Sequence, residues 1–461
     1  MNMPRYLAVF LAFTSCICNA QWESVGGGVD AGQVGWIQWD TLEQRLYAFG
    51  TMQYAGVPPT QVFGTTYWEN GQFHTMDHGV NSDFPSAIDA VEPVHQCVRY
   101  EDDLVVVGEF DSIGNDFLAH RVARWHDGQW SNMGTLPMEG GNTYGLSVIG
   151  DELHLHGGFG DVGGVPAQNW AIYQNGQWRA ADTTGVFNWS TKEAIMYQDQ
   201  LYVGGNFETQ DGRNDLVRKV GDAWEEPGPG LKGDCYVADL EVYDGLLWVA
   251  GYFFSSAGNP ATGIMAWDGQ QWLDPFPQME LYGWGRSFTI ANGDLYMCGF
   301  MTVDGLPGTY QIARYDGEQL CILGGNQIVT PKVTASEDTL YAMTCQQMGC
   351  NEFGGPVVNH LMKRPLLDAV DTCFNVVVGV REVAPMLPLR LQPNPVEATL
   401  QTPWPFTTPG TWVLLNSAGQ VLRRLPSTIT TLDVAALSPG LYVLRAVEER
   451  GTTRSGRFVK Q

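Results

Sequence analysis

Apolar and polar residues alternate through short runs of this chain, and the runs return in a fixed order. The run Leu201-Tyr-Val-Gly-Gly-Asn-Phe207 reads as a strand ending in glycines. Related runs open at Leu46, Leu104, Leu153, Leu247, Leu295 and Leu340. These seven copies follow one another at spacings of 58, 49, 48, 46, 48 and 45 residues. A period of about 40–50 residues marks one supersecondary unit stacked on its neighbours. Each unit carries up to four strand signals, which in the fourth copy cover 193–197, 201–207, 216–220 and 223–226.

The turns support a hairpin reading. The first two strands of a copy meet through short polar turns such as Gln198-Asp-Gln200. The last two meet through Asp127-Gly128, Asn175-Gly176, Asp268-Gly269 and Asp316-Gly317, which supply the positive φ of tight hairpins. Trp130, Trp178, Trp224 and Trp272 close the copies and are expected to pack between sheets. The Gly-Gly pairs are expected to let neighbouring sheets approach. A four-stranded antiparallel sheet with this period is a propeller blade. The expected fold is therefore all-β, a seven-bladed β-propeller over 21–380. The segment around Trp22 matches a last strand with no blade before it, and the seventh copy (327–368) lacks one. The N-terminal strand is expected to complete the last blade and remove the open edges.

The diglycine strand followed by an aromatic hairpin resembles kelch-like bacterial propeller repeats over residues 22 to about 370. That resemblance implies the fold. It implies no particular function, since such propellers serve as enzymes, adhesins and binding hubs alike.

Residues 389–461 read differently, as alternating strands of a small antiparallel β-sandwich reached through a linker at 381–388. They resemble the C-terminal sorting domain of Bacteroidetes proteins exported by the type IX secretion system. The resemblance rests on Pro393-Asn394-Pro395, the hairpin with Gly419, the strand with Gly440 and Tyr442, and Lys460 near the end. It implies recognition by the outer-membrane translocon as partner, then release or attachment to the outer surface. At the other terminus, Arg5, the apolar run 6–13 and Cys18-Asn-Ala20 read as a signal peptide over 1–20. A lipoprotein anchored at Cys16 is the weaker alternative. No stretch is long and apolar enough for a transmembrane helix.

Charge sharpens the division. The formal net charge is −25, and residues 21–388 hold 16 Lys/Arg against 46 Asp/Glu, whereas 389–461 hold 8 against 4. Nucleic acid and anionic membrane surfaces are poor partners for such a chain. Seven cysteines remain after residue 20, an odd number; a bridge among Cys345, Cys350 and Cys373 is expected, and Cys298 with Cys321 is a further candidate.

No catalytic signature occurs, and no metal site is expected. His154-Leu-His156 puts two imidazoles on one strand face, too few for a metal site. The Asp-rich turns leave loosely bound calcium as the one cofactor candidate. Trp36, His95, Tyr144, Trp189, Tyr236 and Trp284 lie 9–12 residues before the Leu that opens each second strand. In a propeller they would fall near one mouth of the central channel, where aromatics can stack on sugars or grip a peptide. The leading expectation is a non-catalytic glycan- or protein-binding module. The alternatives are a polysaccharide-acting enzyme with a site at the channel mouth and a structural surface component.

Overall fold

The computed structural model describes residues 22–461 except 31, 78, 82–93, 111, 114–120, 135–140, 182–186, 210–211, 307–308, 324–331, 344–359, 367–370, 377–390, 392, 394, 403–409, 417–420 and 449–452. The signal segment, the linker, Cys345, Cys350, Asn394 and Gly419 therefore lie outside the described residues. Among those described, the chain is all-β and its only helical element is a short 3-10 turn at Ser255–Ala257.

Antiparallel sheets follow one another in chain order. Sheet 1 is Val34–Asp40, Arg45–Gly50, Thr65–Glu69 and Gln72–Thr75. Sheet 2 begins with Gln96–Tyr100, sheet 3 with Asn142–Ile149, sheet 4 with Ser190–Tyr197 and sheet 5 with Tyr236–Tyr243. Sheet 6 begins with Met279–Ala291. Sheet 7 consists of Val333–Ala335, Thr339–Met343, Leu361–Pro365 and the N-terminal strand Glu23–Ser24, which pairs with Leu361–Pro365 as the missing fourth strand. In the fourth unit the strands are Ser190–Tyr197, Gln200–Glu208, Asn214–Val220 and Ala223–Glu225. They match the expected positions and extend the first by three residues.

Alternation puts one face of each sheet against the sheet before it and the other against the sheet after it. Phe49 of sheet 1 packs with Leu104 and Val106 of sheet 2, and Val107 of sheet 2 with Leu155 of sheet 3. The series ends where it began: Leu46 and Ile37 of sheet 1 pack with Tyr341 and Leu361 of sheet 7. Trp39 stacks on Tyr341 at 5.6 Å and donates its backbone N–H to Thr334 Oγ1 at 2.9 Å. The closing tryptophans reach back one sheet, Trp130 Nε1 donating to the Met76 carbonyl at 2.9 Å and Trp272 Nε1 to that of Pro227 at 3.1 Å.

Three expectations need correction. Asp127-Gly128 and Asn175-Gly176 both hold positive φ, but at Asp268 and Asp316 only the glycine does. There the aspartate Oδ1 instead accepts N–H groups from the two residues beyond the glycine, making a wider loop. Second, only one glycine of each Gly-Gly pair lets the neighbouring sheet approach, and the recurring one serves its own sheet. A Cβ at Gly50, Gly157 or Gly251 would strike a carbonyl of its own sheet's first strand at about 2 Å. The other glycine of each pair does face the next sheet, Gly204 at Val237 and Gly158 at Ser190. Third, Cys373 bridges Cys321. The strand Thr372–Asn375 adds to the edge of sheet 6 with Cys321 opposite Cys373, their Cα atoms 4.0 Å apart. Cys298 stays a buried thiol, as do Cys97 and Cys235 elsewhere in the fold.

Near the C-terminus, Gly410–Asn416, Val421–Pro426, Gly440–Glu448 and Thr453–Lys460 form one sheet, and Thr399–Gln401 pairs with Thr431–Asp433. The two share a core of Leu400, Leu432, Trp412, Leu444 and Phe458. Tyr442 is buried there against Phe458, and Lys460 pairs with Gly440, whereas Pro393 and Pro395 are exposed.

Candidate functional site

The first strand of five sheets carries a β-bulge at the same place. The register slips between Val34 and Trp36, Thr143 and Gly145, Thr191 and Glu193, Val237 and Asp239, and Gly285 and Ser287. The extra residue is Gly35, Tyr144, Lys192, Ala238 or Arg286. A bulge re-aims side chains and frees one residue from the ladder. The conserved geometry also explains the recurring glycine opposite it, which faces the carbonyl the bulge pushes forward.

The residue after the bulge staples sheets together. Gln96, at the equivalent place in sheet 2, accepts the Leu146 N–H at 2.7 Å and donates to the Leu146 carbonyl at 3.1 Å. Glu193 accepts the Leu240 N–H at 2.7 Å, and Asp239 accepts that of Phe288 at 2.6 Å. Where Gly145 offers no side chain, Ser147 Oγ takes over and accepts the Ala194 N–H at 3.0 Å.

These strands line one cavity of about 600 Å³, to which sheets 1 to 6 and Lys332, just ahead of sheet 7, contribute. Trp36, His95, Tyr144 and Tyr236 lie on its wall. Trp189 does not. It is 67% exposed and lines an adjoining cavity of about 570 Å³, which shares Tyr144 and Ser190 with the first. Of Trp284 only the backbone, within Met279–Ala291, is described. The spacing rule gathered these six by counting to the second strand. The bulge moves the true repeat position: Trp36 follows it, Tyr144 occupies it, Tyr236 precedes it by two and Trp189 by three.

The residues that counting aromatics missed are charged. Lys192, Arg286 and Lys332 line the cavity with Glu109, Glu193 and Asp239. Lys192 Nζ donates to the Tyr144 carbonyl, Lys332 Nζ to that of Phe288 at 3.0 Å. The Lys332 ammonium lies 4.7 Å from the Trp36 ring centre. Burial, and then the neighbouring Asp239 that it hydrogen-bonds, push the Glu193 carboxyl well above the usual range, favouring its protonated form. Burial also raises Glu241, on the same strand as Asp239, to about 7. Burial lowers His95, whose Nδ1 meets the Thr143 carbonyl, and so favours neutral imidazole. Part of the signal was available: charges recur at two adjacent offsets, Lys192 and Arg286 nine residues and Glu193, Asp239 and Lys332 eight residues before the Leu of the second strand.

His154 and His156 are core residues. Their rings lie 6.3 Å apart, Trp170 Nε1 donates to His154 Nδ1 at 3.1 Å, and His156 sits between Ser147 and Thr191 hydroxyls. Burial lowers His154 to about 4 and His156 well below its ordinary value. Among the described residues no group of three His, Cys, Asp or Glu side chains is arranged to hold a metal. Nor is any helix there long and apolar enough to cross a membrane.

No family model matches the chain, and no curated protein matches it in sequence. Among solved structures it is similar to the computationally designed Ika8 protein (10% identity, TM-score 0.40, 94% of this chain and 99% of that one). It is similar to PorZ, an essential bacterial surface component of the type-IX secretion system of Porphyromonas gingivalis (12%, TM-score 0.42, 94% of this chain). The chain spans 60% of the PorZ structure. It is also similar to the extracellular domain of BT4673 from B. thetaiotaomicron (11%, TM-score 0.32, 96% of this chain and 99% of that one). At these scores the likenesses carry no argument about this chain.

Proposed function

We propose that this chain is a secreted or surface-attached seven-bladed propeller that binds a glycan in the cavity between its inner strands and does no chemistry on it. The observation that carries the reading is the cavity itself. Sheets 1 to 6 and Lys332, just ahead of sheet 7, contribute to it, its volume of about 600 Å³ suits a sugar unit, and its wall carries aromatic rings and polar side chains. The order of the sheets, the pairing of Glu23–Ser24 with Leu361–Pro365 and the packing of sheet 7 on sheet 1 support the closed ring.

Two of the cavity's three carboxyls, Glu193 and Asp239, are engaged in a way that argues against a glycosidase. Such enzymes hold two carboxyls roughly 5–9.5 Å apart, one to donate a proton and one to attack or activate water. Glu193 and Asp239 hydrogen-bond each other, and each is also engaged by a backbone N–H of the next sheet. They are occupied as staples.

Residues 389–461, following the propeller (21–380) and linker (381–388), serve as the type IX sorting domain, recognised by that translocon after removal of residues 1–20. The buried Tyr442 and Lys460 belong to its folding and the exposed Pro393 and Pro395 to its surface. Deleting 389–461 tests this: the propeller should accumulate in the periplasm, and normal surface delivery would overturn the sorting role. Binding is tested by screening the full chain on a glycan array beside Tyr236→Ala. Retention of defined glycans that weakens in the variant supports the reading; no retention of any glycan overturns it.

A further inference from the structure

We propose that the sugar in this cavity carries a carboxylate, held by Lys192, Arg286 and Lys332, and that its chain continues onto the exposed face of Trp189. This rests on the glycan reading and goes further by fixing the charge of the bound unit and the direction of the chain.

The first argument is the placement of cations. Residues 21–388 are strongly acidic, with 16 Lys/Arg against 46 Asp/Glu. Three of those sixteen, from sheets 4 and 6 and just ahead of sheet 7, line one cavity. Lys192 and Arg286 both occupy the bulge position, outside the pairing of the ladder. Lys332 immediately precedes the first strand of sheet 7, at the ladder offset that Trp36 takes in sheet 1.

The second argument is the weakness of the opposing charge. Glu193 favours its protonated form, and Asp239 accepts N–H groups from Phe288 and Leu240. Glu109 remains. With Glu193 protonated, three cations face Asp239 and Glu109, which leaves the wall an excess of about one positive charge. Water is partly excluded there, so a fixed positive potential acts on a small anion more strongly than at an open surface. Arg286 offers a planar fork matched to a carboxylate.

The third argument is continuity. Tyr144 and Ser190 line both cavities, so a ligand leaving the first passes directly into the second. There Trp189 presents a ring that is 67% exposed, beside Gln168 and Asn188. An exposed indole flanked by amides is suited to a sugar face and its hydroxyls. Two adjoining chambers of about 600 and 570 Å³ fit two or more linked units.

The test is calorimetric titration of the full chain with paired probes: digalacturonate against its methyl ester, and sialyllactose against its methyl ester. Each pair differs in the carboxylate. At least one acidic probe should bind about tenfold or more tightly than its neutral partner, the scale of one charge-assisted hydrogen bond. The more responsive pair identifies the acid class. Arg286→Gln and Lys332→Gln should erase that preference, and Trp189→Ala should weaken disaccharides but not galacturonate alone. Equal binding of acidic and neutral partners overturns the carboxylate proposal while leaving the glycan reading intact. Binding of neither member of any pair, with no glycan retained on the array, overturns both. The ester comparison uses the unaltered chain, so the result stands even where a substitution impairs folding.

Discussion

Glu193 accepts the backbone N–H of Leu240 across the seam between sheets 4 and 5, at 2.7 Å. The same relation joins Asp239 to Phe288 and Gln96 to Leu146. Side chains on the cavity wall therefore do two jobs, fixing the sheets that make the wall and setting its charge. Because Glu193 favours its protonated form, glutamine is a close substitute. Glu193→Gln should keep stability within about 1 kcal/mol, whereas Glu193→Ala, which orphans a buried N–H, should cost about 2 kcal/mol. Urea unfolding checks this; equal damage from both would show that the acceptor is not what matters.

Stability should depend on pH through Glu241. Its folded-state value is raised to about 7 by burial, then by Asp239, with Lys332 and the Val242 N–H acting the other way. A carboxyl raised in the folded state costs nothing below its ordinary value of 4.5 and destabilises as pH rises toward 7. Glu241→Gln should therefore match the unaltered chain at pH 4.5 and gain up to about 3 kcal/mol on it at pH 8. A constant difference across that range would contradict the assignment. Glu193, raised in the same direction, should add to the alkaline loss in both proteins.

The buried histidines act on the acid side. His154 is lowered to about 4, first by burial, with Glu152 opposing. A histidine lowered in the folded state withholds a proton that the unfolded chain takes up, so stability falls as pH drops from 6.5 toward 4. The unfolding midpoint of the unaltered chain should fall through that window. His154→Gln should fall less; an equal fall in both would assign the acid loss elsewhere.

Much of this fold was legible because a repeat states the same sentence seven times. The strands of sheet 4, the tight turns at Asp127 and Asn175 and the N-terminal strand pairing with Leu361–Pro365 all follow from local pattern. What was not legible came from irregularity. A bulge has no composition of its own, so the spacing rule could not see that Trp189 falls three residues short of it and out of the main cavity. The partner of Cys373 was hidden for a similar reason. The strand Thr372–Asn375 returns to sheet 6 across the whole of sheet 7, a long-range pairing that no periodicity announces.

That returning strand should matter. The Cys321–Cys373 bridge closes a separation of 52 residues around sheet 7. Loop-closure entropy for that length is worth about 4 kcal/mol. Cys373→Ser, or reduction, should lower the urea unfolding free energy toward that extent. Loss of less than about 1 kcal/mol would indicate that the strand stays docked without the bond and that the unfolded chain gains little.

The most direct test of the account is a glycan titration of Tyr144→Ala beside the unaltered chain, with Leu42→Ala as control. Tyr144 lines both cavities, while Leu42 is 68% exposed and lines neither. The account predicts a loss of about tenfold or more in affinity for the best array ligand at an unchanged melting temperature, with Leu42→Ala binding normally. Undiminished binding by Tyr144→Ala would place the ligand elsewhere and contradict the claim that the inner strands build a sugar site.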